Sequence, residues 1–163
     1  MVRRFLMLCI LLGTACFLCA CKHLPGGADP PQPSSPLTAL HFSESNSYNK
    51  RVQGYEFRAA DGKYTAYFYM AGEDDPYPVP VDQAWVDTLN GFIGQYGMMS
   101  WDGFRGSDSM LLDGTQFSLG FTFADGTSVQ AGGYGCFPTN YGAASSAIDA
   151  HFMQLLPQDM RDW

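Results

Sequence analysis

The chain has 163 residues, of which 16 are acidic and nine are basic, so its formal net charge is −7. An acidic surface argues against nucleic acid as a partner. The length suffices for one domain with a substantial core. The three histidines are scattered and no zinc-ligand spacing occurs, so we predict no metal site and no cofactor.

The first 20 residues are typical of an export signal. Arg3 and Arg4 give a positive start, and residues 5–17 form an apolar run of secretory length. The run is shorter than the about 20 apolar residues that cross a membrane as a helix. We therefore expect residues 1–20 to be a signal peptide.

Leu18, Cys19, Ala20 and Cys21 follow this apolar run directly. The tetrapeptide resembles the lipobox of bacterial lipoproteins. The resemblance implies cleavage before Cys21 and attachment of diacylglycerol to its sulfur, which would anchor the protein in the cell membrane or the outer membrane, on the extracytoplasmic side. An ordinary secretory signal, cleaved near Ala20, is the alternative.

The segment that follows cannot form a core. Residues 21–36 contain five prolines together with glycine and serine, a composition typical of a semi-rigid tether. We expect a lipidated Cys21 and a tether at 21–36, and a single globular domain at 37–163.

The clearest sheet signal lies at residues 116–133, where apolar and polar residues alternate on both sides of a short turn. A two-residue loop would set apolar residues against polar ones. A three-residue loop pairs Phe121 with Val129 and keeps one face apolar, with Gly126 in the left-handed region. We predict the three-residue hairpin.

A second hairpin is predicted at residues 54–70. Here the alternation fits a two-residue type I′ turn at Asp61 and Gly62. Tyr67 and Tyr69 fall on the parity opposite the core. Their face is either covered by a helix or exposed as a binding surface.

Two helices are indicated by apolar stripes of helical period. Asp82 can cap the first, which runs to about Tyr96 and stops at Gly97. The second stripe covers residues 144–155 and is ended by Pro157.

Short strands are predicted at 37–42, 98–101 and 110–112, and a proline-rich loop at 72–80. Together with the hairpins and helices they give the order β-β-β-α-β-β-β-α. Four Asp-Gly turns indicate antiparallel neighbours. We expect an α+β fold with an antiparallel meander sheet of about five to six strands and two helices packed on one face.

A candidate ligand surface is formed by polar and aromatic residues near turns. They suit a pocket for a glycan, a peptide or another cell-envelope ligand, and packing of the aromatic rings in the core is the alternative. The candidate residues are Trp101, Asp102, Arg105, Tyr134, Asn140 and Tyr141.

Cys136 lies between the last strand and the last helix, a junction where catalytic thiols occur. His151 is its candidate base. The alternative is that Cys136 is a small buried hydrophobic residue and that His151 belongs to the inner stripe of its helix.

The C-terminal half carries a set of turn and core residues: Trp101-Asp102-Gly103-Phe104, Leu112-Asp113-Gly114, Asp125-Gly126 and Pro138-Thr139-Asn140-Tyr141. This pattern resembles one in uncharacterised bacterial lipoproteins, over about residues 96–156. The resemblance implies an extracytoplasmic domain of unknown function and brings no catalytic residues.

We expect a membrane-anchored extracytoplasmic lipoprotein that acts as a non-enzymatic binding or interaction module of the cell envelope. The alternatives are an envelope enzyme with Cys136 as nucleophile and a structural or assembly accessory. A polar cleft with an accessible Cys136 would favour the enzyme. An exposed patch that includes Tyr67 and Tyr69 would favour binding or assembly.

Overall fold

The computed structural model of the protein describes residues 32–45, 52–111 and 113–161. The predicted signal peptide, the lipobox with Cys21 and most of the tether lie outside this range. Within it, seven strands form one sheet that carries two longer helices, which confirms the α+β class.

The elements follow one another in this order: β1 (Leu37–Ser45), β2 (Val52–Ala60), β3 (Lys63–Met70), β4 (Tyr77–Val81), α1 (Gln83–Gln95), a 3₁₀ turn (Met98–Trp101), β5 (Arg105–Ser107), β6 (Gln116–Phe123), β7 (Ser128–Tyr134), α2 (Tyr141–Met153) and α3 (Gln158–Arg161).

The strands lie in the order β4-β3-β2-β1-β6-β7-β5. The first four strands form a meander, and the β6–β7 hairpin pairs with the free edge of β1. β5 runs parallel to β7. The predicted antiparallel meander of five to six strands was therefore wrong: the sheet is mixed and has seven strands. The β1–β6 and β5–β7 pairings are distant in sequence and leave no local signature.

Both predicted hairpins are confirmed in register and in turn. Asp61 and Gly62 have φ values of 52° and 70°, as a type I′ turn requires. In the second hairpin Phe121 pairs with Val129, and Gly126 has a φ of 86°. Parity of the apolar residues sufficed to choose between the two loop lengths.

Three short segments were predicted wrongly. The proposed loop at 72–80 contains β4, whose Pro78 and Pro80 are tolerated because the strand is at the sheet edge and needs a partner on one side only. The proposed strand at 98–101 is the 3₁₀ turn. At 110–112 the described residues, Met110 and Leu111, are not in a strand.

α1 begins and ends where its sequence predicts. The Asp82 side chain accepts a hydrogen bond from the Trp85 backbone N–H at 2.9 Å. Gly97 follows the helix with a φ of 66°. No helix in the described part of the chain is long and apolar enough to cross a membrane.

Both longer helices cover the same side of the sheet, as predicted. The Trp85 ring of α1 lies 6.1 Å from that of Phe57, and the Phe152 ring of α2 stacks on Tyr55 at 4.7 Å. We call this side the inner face. Its buried strand residues include Leu40, Phe42, Tyr55, Phe57, Ala66, Phe68, Leu119, Phe121, Val129 and Ala131.

Candidate functional site

The opposite side of the sheet carries polar and aromatic side chains. Because successive residues of a strand point to opposite faces, the residues paired between the inner positions point away from the helices. No described helix or strand packs on them. We call this side the outer face: His41, Ser43, Glu56, Arg58, Thr65, Tyr67, Tyr69, Ser118 and Gln130.

An ion pair is fixed at the centre of the outer face. Arg58 donates from Nε to Glu56 Oε1 at 2.5 Å and from its terminal nitrogen to Oε2 at 2.8 Å. The guanidinium carbon lies 5.0 Å from the centroid of the Tyr67 ring. The bidentate geometry and the ring together hold both charged groups in one orientation.

Tyr69 adds a third hydrogen bond to this pair, since its hydroxyl donates to Glu56 Oε2 at 2.6 Å. Burial works to raise the pKa of Glu56, but the hydrogen bonds from Arg58 and Tyr69 outweigh it and the pKa is lowered. The hydrogen bond to Glu56 raises the pKa of Tyr69. At neutral pH the carboxylate is therefore ionised and the phenol is protonated.

A second polar pair lies one strand away. His41 Nε2 and Ser118 Oγ are 3.0 Å apart. A Cβ at Gly120 would lie 2.8 Å from His41 Nδ1 and 2.5 Å from the Gln130 amide nitrogen, so the bare glycine lets both side chains lie across β6. Ser–His pairs occur in hydrolases, where a carboxylate orients the imidazole. Here the nearby carboxylate, Glu56, is hydrogen-bonded to Arg58 and Tyr69.

A groove of about 460 Å³ opens beside these groups, and we call it the outer groove. A Cβ on Gly54 would lie 3.2 Å from both the Phe42 carbonyl oxygen and Ser43 Cβ. The missing side chain therefore leaves this part of the groove open. The volume is within the range of small-molecule sites. The residues lining it are His41, Phe42, Ser43, Gln53, Gly54, Tyr55, Glu56 and Tyr69.

Near the same strand ends, a smaller cavity of about 150 Å³ lies beside α2. Tyr55 donates to Asp149 at 2.5 Å, and Tyr141 donates to Glu44 at 2.8 Å. Burial first, and then these hydrogen bonds, raise the pKa of both tyrosines. Both phenols stay protonated and fasten α2 to the sheet. In the described residues no three His, Cys, Asp or Glu side chains form a metal-binding group.

The aromatic members of the predicted ligand surface lie in the interior. Trp101 is 4% exposed and Tyr141 is 8% exposed. The Tyr141 ring lies 4.5 Å from that of Phe117 and 4.6 Å from that of Phe137. These contacts are core packing between α2 and β6.

Two polar members of that surface hold the β5 segment against β7. Asp102 accepts a hydrogen bond from the Gln130 backbone N–H at 3.0 Å. Arg105 donates to the carbonyl oxygens of Phe104, at 2.7 Å, and Gln130, at 3.1 Å. Both side chains are thus tied to backbone groups.

The last two members are also tied to backbone. The Tyr134 hydroxyl accepts from the Gly114 N–H at 2.9 Å and donates to the Leu111 carbonyl at 3.3 Å. Asn140 donates to the Tyr96 carbonyl at 3.4 Å. The six residues have structural contacts, and their role in ligand binding stays a prediction.

Cys136 and His151 have separate environments. Cys136 is 7% exposed, so its sulfur lies in the interior of the domain. His151 stacks on Trp85 at 4.4 Å, its Nε2 donates to the Trp85 carbonyl at 2.9 Å, and its Nδ1 accepts from Gln154 at 2.9 Å. Burial lowers the pKa of His151, although the hydrogen bond to Trp85 opposes this. Both ring nitrogens thus have partners other than Cys136.

No protein-family model matches the chain, and no curated protein matches it. The resemblance to bacterial lipoproteins therefore stays a prediction.

The sequence located only part of the outer face. Tyr67 and Tyr69 were recognised by their parity within one hairpin. His41, Glu56 and Ser118 were missed because they meet only through the pairing of β1 with β2 and β6. Alternation in β1 would have placed His41 on the face away from Leu40 and Phe42. It would not have predicted which residues of other strands lie next to His41.

Proposed function

We propose that the protein is a membrane-anchored extracytoplasmic lipoprotein whose domain is a non-enzymatic binding module of the cell envelope. The outer face is its binding surface. The observation that carries the proposal is that this face is uncovered in the described structure while its polar groups are held in fixed positions by Arg58, Glu56 and Tyr69.

The electrostatics of the outer face favour binding over catalysis. A general base works best when its pKa lies near the working pH. The pKa of Glu56 is shifted down, away from neutrality, because its carboxylate is stabilised by donors. Groups with this arrangement orient a ligand without exchanging protons with it.

The anchor rests on the sequence alone. Cys21 ends a lipobox-like tetrapeptide, and the proline-rich tether leads to β1, which begins at Leu37. Two or three acyl chains on Cys21 would bind a membrane far more firmly than one, because each buried CH₂ contributes about 0.8 kcal/mol.

Metabolic labelling with a clickable fatty acid tests the anchor. Wild type should be labelled and fractionate with the membrane, whereas Cys21→Ser should lose the label and be released. An unlabelled, soluble wild-type protein would overturn the anchor, and a disulfide between Cys21 and Cys136 would then be the first pairing to look for.

Site-specific photocrosslinking in cells tests the binding surface. A photoreactive residue at Thr65, on the outer face, is compared with one at Thr88, on the exposed side of α1. We expect a discrete crosslinked product from position 65, lost on Tyr69→Ala and absent from position 88. Equal products at the two positions, or products from position 88 alone, would contradict the proposed surface.

A further inference from the structure

We propose that the outer groove binds an uncharged glycan. This inference rests on the proposed function and names the ligand class of the same surface. It follows from the charge of the groove, its hydrogen-bonding groups, its exposed ring and its place in the sheet.

The charges of the groove exclude most ionic ligands. Among the described residues that line the groove, Glu56 is the only formally charged one, and its carboxylate is already paired with Arg58. A cationic ligand would have to compete with that bidentate pair. An anionic ligand would approach a protein of net charge −7. An uncharged ligand meets neither obstacle.

The polar groups match a ligand that both donates and accepts hydrogen bonds. A carboxylate offers about four acceptor positions, and Arg58 and Tyr69 occupy three of those on Glu56. Among the contacts of the described residues, one position remains for a ligand hydroxyl. The Gln53 amide and the His41 imidazole each combine donor and acceptor capacity. Sugar hydroxyls supply the complementary groups at close spacing.

Tyr69 provides an apolar platform beside these groups. Its side chain is 41% exposed, and the hydrogen bond to Glu56 holds the ring in place. A ring that is already ordered loses little conformational entropy when it contacts a ligand. The C–H face of a sugar can pack on it while the hydroxyls reach the neighbouring polar groups.

The position of the groove disfavours an extended peptide. Peptides that bind sheets usually add a strand at an edge, where backbone N–H and C=O groups lack partners. The groove lies over β1, β2 and β3, which are interior strands of the sheet. Most of its lining residues are paired on both sides, whereas Tyr69 lies beyond the β3–β4 pairing and Gln53 lies at a register shift. Few backbone groups are therefore open to a peptide there, and side chains must do most of the binding.

The test is binding of the full-length protein, in detergent micelles, to an array of immobilised uncharged and anionic glycans. We compare wild type with Tyr69→Ala and Tyr77→Ala. Tyr77 is a matched control because it is also 41% exposed, but it pairs with Phe68 and so lies on the opposite side of the sheet.

We expect retention on uncharged glycans that is insensitive to salt between about 0.05 and 0.5 M, because screening acts on charge pairs. Tyr69→Ala should weaken binding about tenfold or more. Tyr77→Ala should leave it unchanged. Tyr69→Phe keeps the ring but loses the hydrogen bond that orders it, so it should bind more weakly than wild type and more tightly than Tyr69→Ala. Matching unfolding curves would show that each variant is folded.

Absence of binding to every uncharged glycan would overturn the inference, and so would salt-sensitive binding to anionic glycans alone. An equal loss in Tyr69→Ala and Tyr77→Ala would also overturn it. Failure here is distinguishable from failure of the proposed function: crosslinks from position 65 to a protein, with an empty array, would reject the glycan and keep the binding module.

Discussion

The two faces of the sheet carry the same residue types in different environments. On the inner face Tyr55 donates a hydrogen bond of 2.5 Å to Asp149, and on the outer face Tyr69 donates one of 2.6 Å to Glu56. Tyr55 is 5% exposed and joins the sheet to α2, whereas Tyr69 is 41% exposed. The covering helix, rather than the side-chain chemistry, therefore distinguishes the structural contact of Tyr55 from the exposed contact of Tyr69 on the proposed binding surface.

The largest expected effect lies on the inner face. Phe152 is fully buried, and its ring contacts those of Tyr55 and Trp85. Phe152→Ala should lower the free energy of unfolding by about 3–5 kcal/mol, because it removes apolar burial and leaves a cavity. Chemical denaturation measures this. Tyr67→Ala on the outer face is the control, and a comparable loss there would break the distinction between the faces.

The contact between α1 and α2 at His151 should make the stability of the protein depend on pH. The pKa of His151 is lowered by burial, so below about pH 6.5 the unfolded chain takes up a proton that the folded chain does not. The free energy of unfolding therefore decreases as the pH falls below this value, by at most about 1.4 kcal/mol per pH unit. Unfolding curves from pH 7.5 to about 5 measure the slope, and His151→Leu should flatten it. An unchanged slope would contradict the neutral, buried His151.

Deleting one hydroxyl on each face makes the comparison sharper. Tyr55→Phe removes the bond to Asp149 between sheet and helix and should cost about 1 kcal/mol of unfolding free energy. Tyr69→Phe removes a bond on an exposed surface and should cost less. If the Tyr69 variant proved the more destabilised in thermal unfolding, the outer face would be part of the structural framework.

The smallest effect is expected from the outer ion pair. The Arg58 side chain is 54% exposed, so solvent screens its attraction to Glu56. Arg58→Ala should lower the unfolding free energy by less than about 1 kcal/mol, and by less still at high salt. A larger loss that persists at high salt would show that the pair supports the fold rather than a ligand.

Local sequence patterns predicted the turns and the helix cap, which depend only on neighbouring residues. The turn at Asp61 and Gly62 and the cap at Asp82 need only neighbouring residues, so both were predictable. β4 was missed because Pro78 and Pro80 are read as loop residues until the strand is known to lie at an edge. The meander was wrong because β6 pairs with β1 and not with a neighbour in sequence.

The candidate site was less predictable than the fold for the same reason. Aromatic residues near turns, such as Trp101 and Tyr141, were chosen from composition, and the structure places their rings in the core. The outer face depends on which strands are neighbours, since it joins His41 of β1 to Ser118 of β6. No spacing within either strand carries that information.

The central position of β1 has a consequence for how the chain folds. The contacts of the β1 to β4 meander are local, which favours early formation, whereas His41 of β1 lies 77 residues before Ser118, its side-chain partner on β6. Until β6 arrives, that edge is open beside Leu40 and Phe42 and offers a template to other unfinished chains. Pairing with the β6–β7 hairpin removes this open edge, and we expect a chain truncated before Gln116 to aggregate more readily than the full chain.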